Sequence, residues 1–455
     1  MTNTARRSLR QVSTAALAAA ALLGLAACAP GASAPSEPTE PTDASSISTE
    51  LTTEEVVLTI ADETGFPVTD ELAAEFTRQY PNVTFEITRD TFQNLTANAP
   101  RLLAGDNPPD LIRLPTIGDT VNDGLIANLD PYFEAYGWDA WPASQLAPLR
   151  VNDEGIRGSG SLYQLGLGYS VTGVYMNLEI AESLGYSEPP TTLAEMEEMM
   201  DAAVAAGELP IMAGDADGVV NFVVQALMNQ YADKDEFLSW MFNEPGATYA
   251  TEGNIQGAEK VREWADKGYF PSDINAIDYF QFVSRFSEGE GLFTFNGNWE
   301  AANYQAALGE NVTYFLAPPV NEGDGFVAMG AANSFSVAAG SDNMDEIVYF
   351  LNWIHTNPEA RQIIVDVTGA SPGGDPSLPL PEVEPGSLIE KAIAMSAQIG
   401  EDNGQVDFMA NTTAGIYAGS IIPESQLLVT SQITGQEFVE RVQAFYEQET
   451  GNVAD

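Results

Sequence analysis

The chain has 455 residues, 44% of them hydrophobic, so it can bury more than one sizeable core, and two domains is the starting expectation. Its 66 Asp and Glu face only 17 Lys and Arg, a formal charge of −49 that repels polyanions and excludes nucleic-acid binding. A single Cys and a single His make a disulfide framework, a Cys/His zinc site or a histidine-paired nucleophile hard to build, and neither a metal nor a cofactor is expected.

Arg6, Arg7 and Arg10 precede an uncharged Ala/Leu-rich run from Val12 to Ala27, the pattern of a secretory signal spanning residues 1–27. The Arg6-Arg7 pair also fits twin-arginine export. The run ends Leu25-Ala26-Ala27-Cys28, which resembles a bacterial lipobox, so Cys28 is expected to be lipidated and to become the new N-terminus. Cleavage there removes three Arg and no acid, leaving 14 basic against 66 acidic residues and a net charge of −52. Residues 28–55, with Pro30, Pro35, Pro38 and Pro41 among Ser, Thr and Glu, read as a flexible tether, and folding is expected from Val56. No later stretch has the roughly 18 apolar residues of a membrane span. The expectation is an exported protein held on the outer face of the cell membrane by its lipid.

Val56–Ile60 is a β-rich run, and Leu72, Phe76 and Tyr80 then recur at helical spacing behind Thr69-Asp70-Glu71. Val83–Ile87 alternates as a strand, Leu95–Leu103 reads as a helix stopped at Gly105, and Asp110–Leu114 is a third strand. This β-α-β-α-β opening marks a parallel sheet with crossover helices. Thr192 and Glu195 form a capping-box pattern for a helix ending at Gly207, and Leu209–Met212 is a short strand behind it. Gly291–Phe295 is a buried-type strand, followed by a helix from Glu300 to Leu308. Ile347, Phe350, Leu351 and Ile354 share a helical face, a further helix starts at Pro358, and Gly435–Gln448 is amphipathic. His355 is placed at the surface or boundary of its helix, and Trp138, Trp141, Trp240, Trp264 and Trp353 default to the core.

Several segments together resemble the extracellular solute-binding proteins of carbohydrate ABC importers, the group that includes maltose-binding protein. They are Leu58-Thr59-Ile60 with Glu75-Phe76 and Tyr80-Pro81-Asn82-Val83; Gly105 through Pro109-Asp110-Leu111; Gly124–Asp130; Leu162-Tyr163-Gln164-Leu165; Gly173–Asn177; Pro189–Thr192; and Phe295–Glu300. Met176-Asn177-Leu178 departs from the family, which usually has an aromatic residue and a Lys after the Asn. The resemblance implies an α/β, two-lobed, type II periplasmic-binding-protein-like fold with a hinge. One lobe would take residues 56–170 and 332–371, and the other 171–331 and 372–455. Crossings near Tyr169–Gly173 and Ala328–Asn333 would serve as shared hinge strands.

Ligands of open α/β sheets lie beyond the carboxyl ends of the strands, which selects the loops that follow each strand. These hold Asp62 and Glu63; Phe92 and Gln93; Asp119, which is also a candidate helix cap; Tyr169; Asp215 and Asp217; Asn298 and Trp299; and Asn333. A sugar needs carboxylates and amides for its hydroxyls and aromatic rings for its C–H faces, and this set contains both. Trp299 stands at the family's stacking position. Asp215-Ala216-Asp217-Gly218 has the spacing of the start of a calcium loop but lacks the later acidic ligands.

The expected function is a non-enzymatic receptor that captures a sugar or oligosaccharide and delivers it to an ABC permease, with a monomer as the family expectation. The chain has no P-loop pattern, so ATP hydrolysis would belong to other subunits. The alternatives are a receptor for a cationic ligand such as a polyamine or basic peptide, and a glycosidase using a carboxylate pair.

Overall fold

The computed structural model describes residues 47–453; the signal segment, Cys28 and most of the tether lie outside them. Ten strands are present among the described residues: β1 (Val56–Glu63), β2 (Val83–Asp90), β3 (Leu111–Arg113), β4 (Arg150–Val151), β5 (Ser161–Leu162), β6 (Gln164–Asn177), β7 (Phe293–Gly297), β8 (Val312–Phe315), β9 (Ala328–Val337) and β10 (Gln405–Val406). The main sheet runs β2-β1-β3-β9-β6-β7, with β8 also on β6 and β10 on β9. As the opening pattern predicts, β1 is parallel to β2 and to β3, and the helices Val68–Gln79 and Phe92–Leu103 make the crossovers.

β6 is the strand on which two cores meet. Its first part pairs antiparallel with β9, from Gln164↔Ser336 to Val171↔Gly330, and its second part pairs with β7 (Thr172↔Gly297 to Met176↔Phe293) and β8. Leu58, Phe76, Trp138, Leu165, Leu167, Phe335, Phe350 and Trp353 pack into one core. Val174, Met176, Trp240, Trp264, Phe293, Met329, Phe438 and Tyr446 pack into another. The change of core falls between Leu167 and Val174 on β6 and between Met329 and Phe335 on β9, which makes the molecule a two-lobed α/β protein with crossing strands between the lobes.

Helix starts follow local side-chain chemistry. Thr91, Thr192, Thr251, Ser387 and Asn357 each accept a backbone N–H of the first turn, and Asp278/Gln281 and Thr434/Glu437 form reciprocal boxes. The box expected at Thr192 is one-sided, because the Glu195 carboxylate bonds to Thr191 instead. Thr69 lies inside the helix Val68–Gln79, which has no side-chain cap, and its hydroxyl donates to Asp62.

Two expectations are corrected. The chain is already packed ahead of Val56, because Ile47 and Leu51 cover the first core and the Asn82 amide donates to the carbonyls of Thr52 and Glu54. His355 is not at the surface: it is fully buried, with Nδ1 3.1 Å from the Pro372 carbonyl and its ring 4.5 Å from that of Trp141.

Burial pushes the His355 imidazole down to about 4. Because this lies below the unfolded value, the unfolded chain takes up the proton first, so stability is full above about pH 6.5 and falls as the pH drops towards 4. Between pH 7 and 4.5, urea unfolding should show the unmodified protein losing about 2–3 kcal/mol more stability than His355→Asn, which lacks the titrating ring.

Arg157, in the β4–β5 hairpin on the first lobe, makes a buried ion pair with Asp407 of the second at 2.8 Å. Arg157→Ala should cost about 3–5 kcal/mol in urea unfolding by stranding Asp407. Arg441→Ala, which removes the exposed pair with Glu424, should cost under about 1 kcal/mol. Equal costs would refute a structural role for the buried pair.

Candidate functional site

On the second lobe, β7 runs into a single turn, Asn298–Glu300, that presents Trp299. A Cβ on Gly297 would lie 1.9–2.1 Å from the Trp299 ring, so the indole lies flat against backbone that only glycine leaves bare. Trp299 Nε1 donates to the Tyr279 hydroxyl at 2.6 Å, and that hydroxyl donates to Glu300 Oε1 at 2.6 Å. Burial raises both Tyr279 and Glu300 above their ordinary ranges. Phe222 lies edge-on to Trp299 at 5.8 Å between centroids, and Phe408 lies at 6.4 Å. Trp299, Tyr279, Phe222 and Phe408 are all half-buried, a mixed aromatic face on one lobe.

Asp217 borders this face. Its Oδ2 accepts the Tyr279 N–H at 3.1 Å and its carbonyl accepts the Tyr417 hydroxyl at 2.9 Å. Its Oδ1 is buried and has no hydrogen-bond partner among the described residues. Desolvation raises the Asp217 carboxyl, so the oxygen is poised to accept from, or share a proton with, a hydroxyl placed there.

On the first lobe, Glu63 at the end of β1 and Arg113 at the end of β3 lie 3.0 Å apart, with the guanidinium 4.4 Å from the Phe66 ring centre. Arg113 Nη1 is buried without a partner among the described residues. Burial raises Glu63 and the Arg113 charge opposes that shift. The lobes touch where Gln93 Nε2 meets the Asp217 carbonyl at 3.4 Å, and at the Arg157–Asp407 pair, whose guanidinium also bonds the Asn411 carbonyl and covers Phe242.

The predicted residues divide. Trp299, Gln93, Glu63 and half-buried Phe92, the first residue of its helix, stand at strand ends as expected. Asp119 is exposed in the first turn of Gly118–Asn122 and is not its cap. Five others are committed to the protein. Asp62 is fully buried and accepts from the Thr69 hydroxyl, Arg89 and the Glu63 N–H. Asp215 is fully buried and both its oxygens are bonded to Ser425. Asn298 accepts the Val171 N–H and donates to the Gly369 carbonyl. Asn333 bonds Ser170 between the crossing strands, and Tyr169 donates to the Gln145 carbonyl with its ring packed on Gly373. For these five the ligand-binding reading gives way to a structural one, because their polar groups are already paired out of solvent.

Tyr279, Phe222, Phe408, Tyr417 and Arg113 were not singled out by sequence. The one signal that pointed to Tyr279 was the Asp278–Gln281 box that starts its helix. Among the described residues no three His, Cys, Asp or Glu form a metal cluster, and no helix is long and apolar enough to cross a membrane.

With this geometry in view, the chain belongs to the family of bacterial extracellular solute-binding proteins, whose sequence model matches residues 71–387. Its fold is similar to that of a chitin oligosaccharide binding protein (TM-score 0.72, 17% identity, covering 87% of this chain and 98% of that one). It is also similar to an ABC substrate-binding protein of Listeria monocytogenes in complex with cycloalternan (0.69, 16%, 88% and 100%) and to maltose-bound MalE3 of T. maritima (0.67, 15%, 86% and 99%). The shared fold is the type II two-lobed arrangement.

The Trp299–Tyr279–Glu300 chain predicts energetic coupling. Tyr279→Phe should cost about 1–2 kcal/mol in urea unfolding, and measurably less when Trp299 is already Phe. Additive losses in the double variant would show that the hydroxyl does not hold the indole.

Proposed function

We propose that this protein captures a neutral sugar or oligosaccharide between its lobes and passes it to the membrane subunits of an ABC importer, without chemical turnover. The observation that carries the reading is the Trp299 indole, laid on Gly297 and clamped through Tyr279, beside the unpartnered Asp217 oxygen. A flat ring next to hydroxyl-gripping groups matches the alternating apolar and polar faces of a pyranose. The sugars named for the structural relatives support this choice of ligand class. Glu63 and Arg113 would close on the ligand from the other lobe, Arg113 Nη1 donating to a hydroxyl and Glu63 accepting from one.

In this reading, residues 56–170 with 332–371 move against residues 171–331 with 372–455 about the crossing strands. Ligand contacts made with both lobes favour the closed form. The exported chain would be anchored by lipidated Cys28 on the outer face of the membrane, act as a monomer, and leave ATP hydrolysis to its partners.

A second reading has a specific observation behind it: four aromatic rings with Asp217 and Glu300 nearby could also enclose an organic cation such as a polyamine. Salt separates the two. Calorimetric titration with neutral oligosaccharides should give heat that changes little between low and high ionic strength, with no product formed. Trp299→Ala should weaken binding roughly 30-fold, or about 2 kcal/mol. Affinity for a polyamine that falls steeply with salt, with no heat from any sugar, would replace the sugar reading, and released product would replace it with an enzyme.

A further inference from the structure

Away from the cleft, the first lobe carries a groove of about 310 Å³, at the small end of the roughly 300–1,000 Å³ typical of ligand sites. It lies where the helices Val68–Gln79, Asp130–Tyr136 and Met344–Thr356 come together, and it shares no residue with the cleft candidates. None of its nine lining residues is Asp, Glu, Lys or Arg, although the chain has 66 acids. Its walls are Tyr80, Tyr136, Tyr349 and Trp353 with the amides of Asn352 and Asn357.

These walls are fixed before any ligand arrives. Trp353 Nε1 and Asn357 Nδ2 both donate to Gln79 Oε1 at 3.2 Å. Asn352 Oδ1 accepts the Trp138 indole N–H at 2.9 Å, which sets the orientation of the amide and leaves its N–H donors without a protein acceptor among the described residues. The Tyr80 and Tyr349 hydroxyls lie 3.2 Å apart, and that contact uses one proton of the two. The Tyr136 ring stacks on Trp138 at 5.6 Å, and its hydroxyl is buried with no partner among the described residues. Orphaned polar groups in a rigid wall are what a bound hydroxyl-bearing molecule or water would satisfy.

We propose that this groove is a second carbohydrate site, which takes one neutral pyranose ring of a saccharide independently of the cleft. The absence of charge disfavours an ionic ligand, the half-buried rings of Tyr80 and Tyr349 supply apolar surface for C–H contact, and the amide and phenols supply polar partners for hydroxyls. One ring in a groove this small should bind in the millimolar range.

Saturation-transfer NMR tests this on the protein carrying Trp299→Ala, which weakens the cleft roughly 30-fold, with methyl β-D-glucopyranoside and N-acetyl-D-glucosamine as probes and Thr49→Trp as the variant that tells the groove from the residual cleft. Transfer should persist in that variant and should weaken at least about tenfold when Thr49→Trp, at an exposed position lining the groove, fills it. Tyr136→Phe should weaken binding about threefold without lowering the unfolding midpoint, because the lost hydroxyl has no protein partner. Should Thr49→Trp not fold, Tyr136→Phe gives the decisive reading. Transfer lost in Trp299→Ala alone would overturn the groove and leave the cleft reading intact. Transfer absent from the unmodified protein as well would overturn the groove and count against the cleft. Transfer unchanged by Thr49→Trp would place the sugar elsewhere and overturn the proposal.

Discussion

The structure depends on one strand serving two lobes. All fourteen residues of β6 are buried; those up to Val171 are bonded to β9 in one lobe, and those from Thr172 onwards to β7 and β8 in the other. A strand buried on both faces cannot slip by one residue without turning every side chain over, so the ladders at each end hold its register. The ladder changes partner between Val171 and Thr172, just after an irregularity between Gly166 and Tyr169, where Gly168 has φ +135° and a Cβ would come within 2.9 Å of Ile364. Amides bolt this region together: Asn333 to Ser170, and Asn298 to Val171 and Gly369. Any movement between the lobes has to be absorbed by the torsions near these bonds.

A chain of charge −49 places several of its scarce cations against sheltered acids. Three of them stand beside a buried or half-buried acid: Arg89 with Asp62 and Arg113 with Glu63 within the first lobe, and Arg157 with Asp407 across the lobes. Desolvation raises Asp62, Glu63 and Asp217, and the neighbouring guanidinium charges oppose that shift at Asp62 and Glu63. Taking ion pairs out of water gains little net stability, so their placement fits orientation better than strength. What remains open is aromatic surface with isolated polar atoms.

Much of the first lobe was legible because its signals are local. The Pro109-Asp110-Leu111 segment marks a strand start, and the structure gives the reason: the Asp110 carboxylate accepts from the Thr59 backbone and hydroxyl and from Ser341 and Asn343, joining β1 to the segment after β9. Trp299 was legible because a buried strand runs straight into its turn. The misplaced acids have two causes: alternation turns Asp62 and Glu63 to opposite faces of β1, and a distant packing partner seals Asp215. Asp62 and Glu63 are neighbours on β1, and Asp215 and Asp217 flank Ala216, yet one of each pair is sealed against Ser or Thr while the other keeps an open side. Which member faces inwards depends on packing partners hundreds of residues away, such as Ser425. Tyr279 and Phe408 escaped notice for a related reason: both reach the Trp299 face from segments that follow no strand of the main alternation.

Under the sugar-capture reading, the division of labour between the lobes sets the order of events. Trp299, Tyr279, Glu300, Phe222, Phe408 and Asp217 all belong to the second lobe and are held by bonds within it, so the stacking face is complete before closure. Binding to that face alone is nearly equal in the open and closed forms and cannot shift their balance. The shift has to come from the first lobe, where Glu63 and Arg113 stand on strand ends and Gln93, at a helix start, reaches the Asp217 carbonyl of the second lobe. The second lobe therefore sets which ring is accepted, and the first lobe sets whether acceptance becomes closure.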